Sequence, residues 1–527
     1  MAKMLGAMVD CSRNAVMNVP TVKKFAKLIR SMGYNTLMLY TEDTYEVDNQ
    51  PAFGYQRGRY SQEELRELDQ FCLSIGMELI PCIQTLAHLA TIFKWRGDVY
   101  LDIQDMDNAL LVDNEKTYAL IEDMISSLAK CFTTRKIHIG FDEAFAVGLG
   151  KHLQQHGYEE RSDIITRHLQ RVCRITEKYG FQPMIWSDMF CRLSQDTTEF
   201  YEEDGKAVNA EKFNIPQNVS LVHWDYYSDD YERYVKMLRL NQRFDREVIF
   251  AGGAWTWSGF LPDNGWSIDT IGPAMKACRD CGVDQILITL WGDDGGECSR
   301  FGTLPVLFYG AEAAQGNTDL DNIKEKFRQQ YGCDFDAFLL LDELDNHVTL
   351  RSGAVVKHLL YRDPFMPVQD KRIQGWTNEW FAEKALQIRN ADFGAYRNVA
   401  DCWEALCDVL SVKCQLDKKT RTAYENRDKA TLERLAKEDY AAAVRKIKNF
   451  HRIYRDFWMG ENKPQGFEIQ DIRMGGLCQR LETCQQRLLD YCAGKLEKIE
   501  ELEEAKLMIH RGHVWSRTVF PGAGFYA

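Results

Sequence analysis

Eight short apolar runs rich in β-branched residues punctuate the first part of the chain: Met4–Val9, Asn35–Tyr40, Glu78–Ile83, Lys136–Gly140, Pro183–Trp186, Val219–Trp224, Glu247–Ala251 and Gln285–Leu290. Between them, Thr21–Met32, Glu63–Ile75, Lys116–Cys131, Ile164–Tyr179 and Ile268–Cys281 repeat apolar residues at three-and-four spacing, the period of a helix with one buried face. Parallel strands need a crossover, and the usual crossover is a helix, so this alternation predicts an α/β fold with a parallel sheet under covering helices. Gly33, Gly76, Gly180 and Gly282 each follow a helical run and precede a strand, where a left-handed residue closes a helix. Eight strands predict a closed (β/α)8 TIM-type barrel over residues 1–318, with an open doubly wound sheet as the alternative.

Past that point the β-type runs stop and long charged amphipathic patterns take over, predicting a mainly α-helical domain over residues 319–527. The clearest are Thr420–Phe457 and Leu477–His510, with Glu433/Lys437 and Glu503/Lys506 at helical contact spacing. Their apolar spacing is not a strict heptad, which favours a packed bundle over a coiled coil. The aromatic, glycine-rich segment from Val514 to Tyr526 is too apolar to fray, and predicts packing on its own domain or in a homodimer.

Composition narrows the function. With 65 basic and 78 acidic residues the net charge is −13, and no Lys/Arg block suits a phosphate backbone, so no nucleic-acid partner is expected. No stretch approaches the ~20 apolar residues that cross a bilayer, and the opening residues lack the pattern of a signal peptide, so no membrane partner is expected. The 16 cysteines are scattered through strands and helices, which predicts reduced, core-filling thiols and a cytoplasmic location. Cys278 and Cys281 have redox spacing but lie on a helical pattern without a partner pair.

In parallel α/β folds the chemistry sits at the carboxyl ends of the strands, and here those ends carry an unusual set of residues. Asp10, Ser12 and Arg13 follow the first strand, Glu42 and Asp43 the second, and Gln84 and His88 the third. The fourth ends in His138, Asp142 and Glu143, and the fifth in Trp186 and Asp188. Trp224, Asp225, Tyr226 and Tyr227 follow the sixth, Trp255 and Trp257 the seventh, and Trp291, Asp293, Asp294 and Glu297 the eighth. Tryptophan filling a barrel core explains part of this list, but not the acid that follows Trp186, Trp224 and Trp291 within two residues. Ring faces beside carboxylates and an arginine suit a sugar, whose C–H face stacks on aromatics while its hydroxyls take charge-assisted hydrogen bonds. His88 and His138 stand on separate strands without a local partner, and Gly252-Gly253 and Gly295-Gly296 lack a P-loop lysine, so neither a metal nor a phosphate cofactor is predicted. For His88 alone, a satisfied structural histidine is the plainer expectation.

These segments together resemble the glycoside hydrolase family 20 β-N-acetylhexosaminidases. His138-Ile-Gly-Phe-Asp142-Glu143 is similar to that family's His-x-Gly-x-Asp-Glu motif, and Asp10-Cys-Ser-Arg13 to its Asp-x-x-Arg. Pro81 to His88 resembles the segment ending in Gly-His, with two departures: Gln84 where an acid is usual and Ala87 where glycine is. Trp186-Ser-Asp188 and Trp291-Gly-Asp293 resemble the pocket-wall strands, the second with Asp for the usual Glu. The helical half is most similar to a divergent branch of the family with a C-terminal helical domain.

The resemblance implies exo-acting removal of terminal β-linked GlcNAc or GalNAc from glycans, by a retaining reaction in which the sugar's own acetamido oxygen is the nucleophile. Glu143 would then be the general acid and base, and Asp142 would hold the acetamido N–H. Tyr226 or Tyr227 would donate to the acetamido carbonyl. Trp186, Trp257 and Trp291 would line the pocket, with Arg13 and Asp293 on the outer hydroxyls and His88, His138, Trp224, Asp225 and Glu297 as further substrate contacts. Two alternatives stay open. One is a double-displacement glycosidase pairing Glu143 with Asp293 or Glu297; the other is a glycan-binding barrel without chemistry.

Overall fold

A computed structural model describes residues 2–94, 99–194, 209–293, 295–347, 354–370, 373–505 and 507–509. The Val514–Tyr526 tail, Asp294 and Lys506 lie outside the described residues. The chain forms two compact units. One comprises Met1–Trp255, Trp266–Gly296 and Val306–Ile323; the other comprises Thr256–Gly265, Glu297–Pro305 and Lys324–Ala527.

The first unit is a closed barrel of eight parallel strands: β1 (Met4–Asp10), β2 (Thr36–Tyr40), β3 (Glu78–Cys82), β4 (Lys136–His138), β5 (Gln182–Trp186), β6 (Ser220–Trp224), β7 (Val248–Gly253) and β8 (Gln285–Leu290). Each pairs with its neighbours in sequence, and β8 closes on β1 with Met4 opposite Gln285 and Val9 opposite Leu290. Every residue of β1, β2, β7 and β8 is buried, as expected of parallel strands covered on both faces. The principal helices that follow in turn are α1 (Val19–Met32), α2 (Gln62–Ser74), α3 (Glu115–Ala129), α4 (Arg161–Lys178), α5 (Asp188–Ser194), α6 (Tyr231–Gln242), α7 (Asn264–Cys281) and α8 (Leu304–Ala314).

Local chemistry sets their ends. The Asn18 side chain accepts from the Thr21 amide to open α1, and Ser61 and Glu64 form a reciprocal capping box on α2. Gly33, Gly76, Gly180 and Gly282 all adopt left-handed φ where the sequence places them after a helix. All 16 cysteines are free thiols, and Cys278 and Cys281 are buried in α7. No helix among the described residues is long and apolar enough to cross a membrane.

The second unit is mainly helical, with a core around Phe260, Trp403, Phe450 and Tyr454. Two expected helices differ from the sequence reading. The Thr420–Phe457 pattern is broken: Arg427 turns left-handed at φ 55°, Asp428 caps a new helix by accepting from the Thr431 amide, and Leu435–Tyr440 widens to a π-helix. The second begins earlier, at Glu468, and ends at Cys492 rather than His510; Met508–Ile509 then pairs in parallel with Gln369–Asp370.

Within this unit Glu297 is fully buried, and its carboxylate meets Lys357, Gln470 and Arg473, the last at 3.0 Å. Lys357 is equally buried, so removing its charge strands an anion out of water. Lys357→Met is expected to cost about 3–5 kcal/mol, the usual penalty for breaking a buried pair. Adding Glu297→Gln to that chain is expected to recover part of the loss in a thermal melt. A Lys357→Met protein melting with the wild type would refute this.

Candidate active site

Because the strands run parallel, their carboxyl ends open on one mouth of the barrel, and the predicted residues of the first unit converge there. β4 decides the geometry. It leaves the sheet after three residues, because Gly140, Phe141 and Glu143 take left-handed φ of 80°, 81° and 51°. Such values are uncommon away from glycine and persist only where surroundings enforce them. Phe141 is fully buried, its ring centre 5.2 Å from that of His168. The Glu143 amide donates to Asp188 Oδ2 at 3.0 Å, and the Phe145 amide to the Glu143 carbonyl at 2.6 Å. Gly140 cannot be replaced at no cost, since a Cβ there would fall 2.1 Å from Gln84 Oε1.

Consecutive side chains of a regular strand point to opposite faces, so the kink is what lets two adjacent carboxylates reach one partner. His88 Nε2 lies 3.2 Å from Asp142 Oδ2 and 3.5 Å from Glu143 Oε2. His88 itself sits at φ 56°, a third strained residue at the same site. Gln84 Nε2 donates to Asp142 Oδ1 at 2.6 Å and to the Tyr40 hydroxyl at 2.9 Å, while Gln84 Oε1 accepts from the Phe141 amide at 3.3 Å.

Beside this pair, Arg13 gathers three acids: Glu42 at 3.3 Å, Asp293 at 3.4 Å and Asp10 at 3.8 Å. Asp10 is also the backbone organiser of the β1 end, accepting from the Ser12 and Gly292 amides at 2.8 Å each.

The opposite wall is aromatic. The Tyr226 hydroxyl accepts from Trp291 Nε1 at 3.0 Å, and its carbonyl accepts from Trp255 Nε1 at 3.1 Å. Trp224 stacks on Tyr226 at 5.4 Å, and Trp291 packs 5.8 Å from Trp186 and 4.8 Å from Tyr40. Tyr226 is 5% exposed, whereas Tyr227 is 51% exposed.

The proton affinities of the two adjacent carboxylates are shifted in opposite directions. Burial disfavours the Asp142 anion, but His88 and Gln84 outweigh it and bring its pKa below the ordinary aspartate value. For Glu143, burial and then the Asp142 charge push the pKa up. Burial also raises Glu42 to about 7 against the pull of Arg13, and raises Asp188 to about 7 with help from Asp142. Burial lowers His138 to about 3, so it is a neutral ring, with Nδ1 accepting from the Gly140 amide at 3.1 Å.

Of the expected substrate contacts, Asp225 is engaged by protein groups, and two others fall in the second compact unit. Asp225 is buried and already engaged, its carboxylate accepting from Arg233 at 3.2 Å and from the Tyr227 amide at 3.3 Å. It shapes the turn that presents Tyr227. Trp257 and Glu297 belong to the second compact unit, and Glu297 is spent on Lys357 and Arg473. In the other direction, the sequence reading passed over Tyr40 as an ordinary strand residue. Register was the missing signal, since Tyr40 lies opposite Asp10 on β1 and Cys82 on β3, in line with His138.

A (β/α)8 barrel whose strand ends gather paired carboxylates, an arginine and aromatic rings carries the side chains that a carbohydrate site needs. Comparison with known proteins gives the family. The glycosyl hydrolase family 20 catalytic domain model matches residues 5–236, and the glycoside hydrolase 20C C-terminal domain model matches residues 336–518. The chain belongs to glycoside hydrolase family 20. Hexosaminidase D of Bos taurus is 24% identical over 238 residues, covering 44% of this chain and 64% of that protein. Hexosaminidase D of Homo sapiens is 22% identical over 251 residues, covering 46% and 49%. The chain thus spans less than two thirds of the length of either relative. The solved GH20 exo β-N-acetylglucosaminidase of Vibrio harveyi aligns with a TM-score of 0.47 at 17% identity, over 65% of this chain and 58% of that one.

His88 provides a direct check on the electrostatics. Burial alone would lower its pKa, but the charge and hydrogen bond of Asp142 raise it to about 9. A raised histidine adds stability that is full below its unfolded value of 6.5 and is lost as pH rises through about 9. The His88 imidazole is therefore expected to titrate near 9 by NMR, while His138 stays neutral above pH ~5. His88→Gln is expected to remove that part of the alkaline loss of stability. A His88 ring titrating at its unperturbed value would exclude the pairing.

Proposed function

We propose that this protein is an exo-acting β-N-acetylhexosaminidase that removes terminal β-linked GlcNAc or GalNAc from glycans with retention, using the substrate's acetamido group as nucleophile. The observation that carries the reading is the unequal poise of two adjacent carboxylates on one histidine, Asp142 ionised and Glu143 inclined to keep its proton. The names of the Bos taurus and Homo sapiens relatives agree with it.

In this reading Glu143 protonates the departing glycosidic oxygen, and the acetamido oxygen attacks the anomeric carbon from the opposite face. The bond to the aglycone breaks as the oxazolinium ring closes. Asp142 accepts the acetamido N–H and offsets the positive charge that develops on the ring. Tyr226, whose oxygen is fixed by Trp291, donates to the acetamido oxygen and aims it. Glu143, now a carboxylate, takes a proton from water as that water opens the ring and restores the sugar. Arg13 and Asp293 hold the outer hydroxyls, and Trp291 stacks on the sugar with the fully buried Trp186 packed behind it.

Double displacement would need a second carboxylate facing the anomeric carbon. Glu297 is buried in an ion-pair cluster and Asp293 is paired with Arg13, so neither is poised for that role.

A screen of nitrophenyl glycosides tests the class: 2-acetamido sugars are expected to be cleaved and their 2-hydroxy analogues left intact. Replacing the acetyl hydrogens by fluorine one at a time weakens the attacking oxygen with little change in size, so kcat/KM is expected to fall steeply at each step. A flat series, or a sugar trapped covalently on Asp293, would establish double displacement instead.

Glu143→Gln separates the acid from the nucleophile. General acid catalysis contributes about 10²–10⁴-fold, so this variant is expected to lose about that much on sugars with poor leaving groups and far less on activated aryl glycosides. Equal losses on both would remove Glu143 from the acid role.

A further inference from the structure

Gln84 joins the two halves of the site. Its carbonyl accepts from the Phe141 amide, which fixes the amide group in one orientation and turns both N–H bonds the other way. One N–H goes to Asp142 Oδ1 and the other to the Tyr40 hydroxyl, and Tyr40 in turn donates to Glu42 at 3.3 Å. Glu42 is the acid nearest Arg13. The chain of donors has one direction, from backbone through Gln84 toward two carboxylates, and every link is buried. Gly140 leaves the space that this approach requires.

We propose that Gln84 is a positioning residue for the reaction described above: as a donor that cannot lose its proton, it keeps Asp142 an acceptor for the substrate's acetamido N–H across the whole working pH range. The proposal rests on the reading of Asp142 given under the proposed function. An acid at this position would donate only while protonated. A carboxylate there would instead repel Asp142 once both ionise. Substitution by an amide removes that limit on the alkaline side.

Asp142 is faced by several titratable groups: His88 after β3, Cys82 on β3, Tyr40 on β2, His138 on β4, its neighbour Glu143, Asp188 after β5 and Asp293 after β8. Activated aryl 2-acetamido glycosides need no proton from Glu143 in the first step, so kcat/KM on them isolates the Asp142 side.

On those substrates Gln84→Glu is expected to act like the wild type at low pH, where one shared proton restores the donor, and to fall as pH rises through neutrality. The wild type should show no such fall. Gln84→Met, of similar size but without a donor, is expected to lose about 10–100-fold at all pH values, as for a buried hydrogen bond to a charge. Its acidic limb should also move to higher pH.

Stability supplies a readout independent of turnover. The depressed Asp142 contributes stability above its unfolded pKa that is lost as pH falls through its folded value. Gln84→Met should therefore begin to unfold at higher pH on acidification, and the same substitution in an Asp142→Asn chain should not change the pH dependence. A Gln84→Glu profile without the alkaline fall, or an acid transition unmoved by Gln84→Met, overturns the proposal. A wild type inactive on 2-acetamido glycosides overturns the functional reading instead, and the unfolding comparison still decides what Gln84 does to Asp142.

Discussion

The mouth of the barrel has too many acids for its cations, and the site depends on how that excess is shared out. Asp10, Glu42, Asp142, Glu143, Asp188 and Asp293 surround Arg13 and His88. Where several of these acids are buried, ionising all of them together is costly, so proximity to a donor shifts how strongly each holds its proton. Asp142 has His88 and Gln84 and stays an anion. Glu143 has the same histidine at longer range and its own neighbour's charge against it. One residue of sequence thus separates two carboxylates whose proton affinities are shifted in opposite directions, and the separation comes from their partners.

That sorting requires backbone that regular structure cannot supply. Phe141, Glu143 and His88 all have positive φ, and each such residue costs on the order of 1–3 kcal/mol unless it is held. The holding groups are identifiable. Phe141 is anchored by burial and by its amide bond to Gln84, and Glu143 by its amide bond to Asp188. Asp188 at about 7 is itself close to changing charge near neutrality, so the backbone of the acid residue is tied to a group sensitive to its surroundings. The barrel contributes rigidity: eight strands closed into one sheet leave these few residues to take up the strain.

Much of this was legible in the sequence, for a physical reason. Strands covered on both faces are largely apolar, so all eight barrel strands stand out as short apolar-rich runs within a residue or two of their observed ends. Helix α6 was not legible, because Tyr234 and Asn241 occupy buried positions on its inner face and blur the period. The broken Thr420–Phe457 helix hides its boundary in Arg427, a residue that no turn rule marks. Candidate residues stood out wherever a motif ends a strand. What stayed hidden were partnerships between distant segments: Glu297 with Lys357 and Arg473, Asp225 with Arg233, and Gln84 with Asp142 across 58 residues of sequence. Composition and period do not encode which of several acids near a strand end receives a donor.

Arg13 shows how the same shortage of cations bears on sugar recognition. One planar guanidinium reaches Asp10, Glu42 and Asp293 at once, a geometry that a lysine ammonium on a single stem cannot reproduce. Two of those acids are buried, while Asp293 is half exposed at the rim. Glu42, raised to about 7, exchanges its proton near neutral pH, and when protonated it draws less on the arginine. Arg13 stays charged under all such conditions. The side of the site assigned to the outer hydroxyls therefore combines a permanent cation, a buried acid whose charge responds to pH and an exposed acid that can turn between Arg13 and a ligand. The acetamido side, by contrast, is fixed by groups whose partners are set. Under the proposed function, such an arrangement would favour strict recognition of the 2-acetamido group and tolerance in how the outer hydroxyls are oriented.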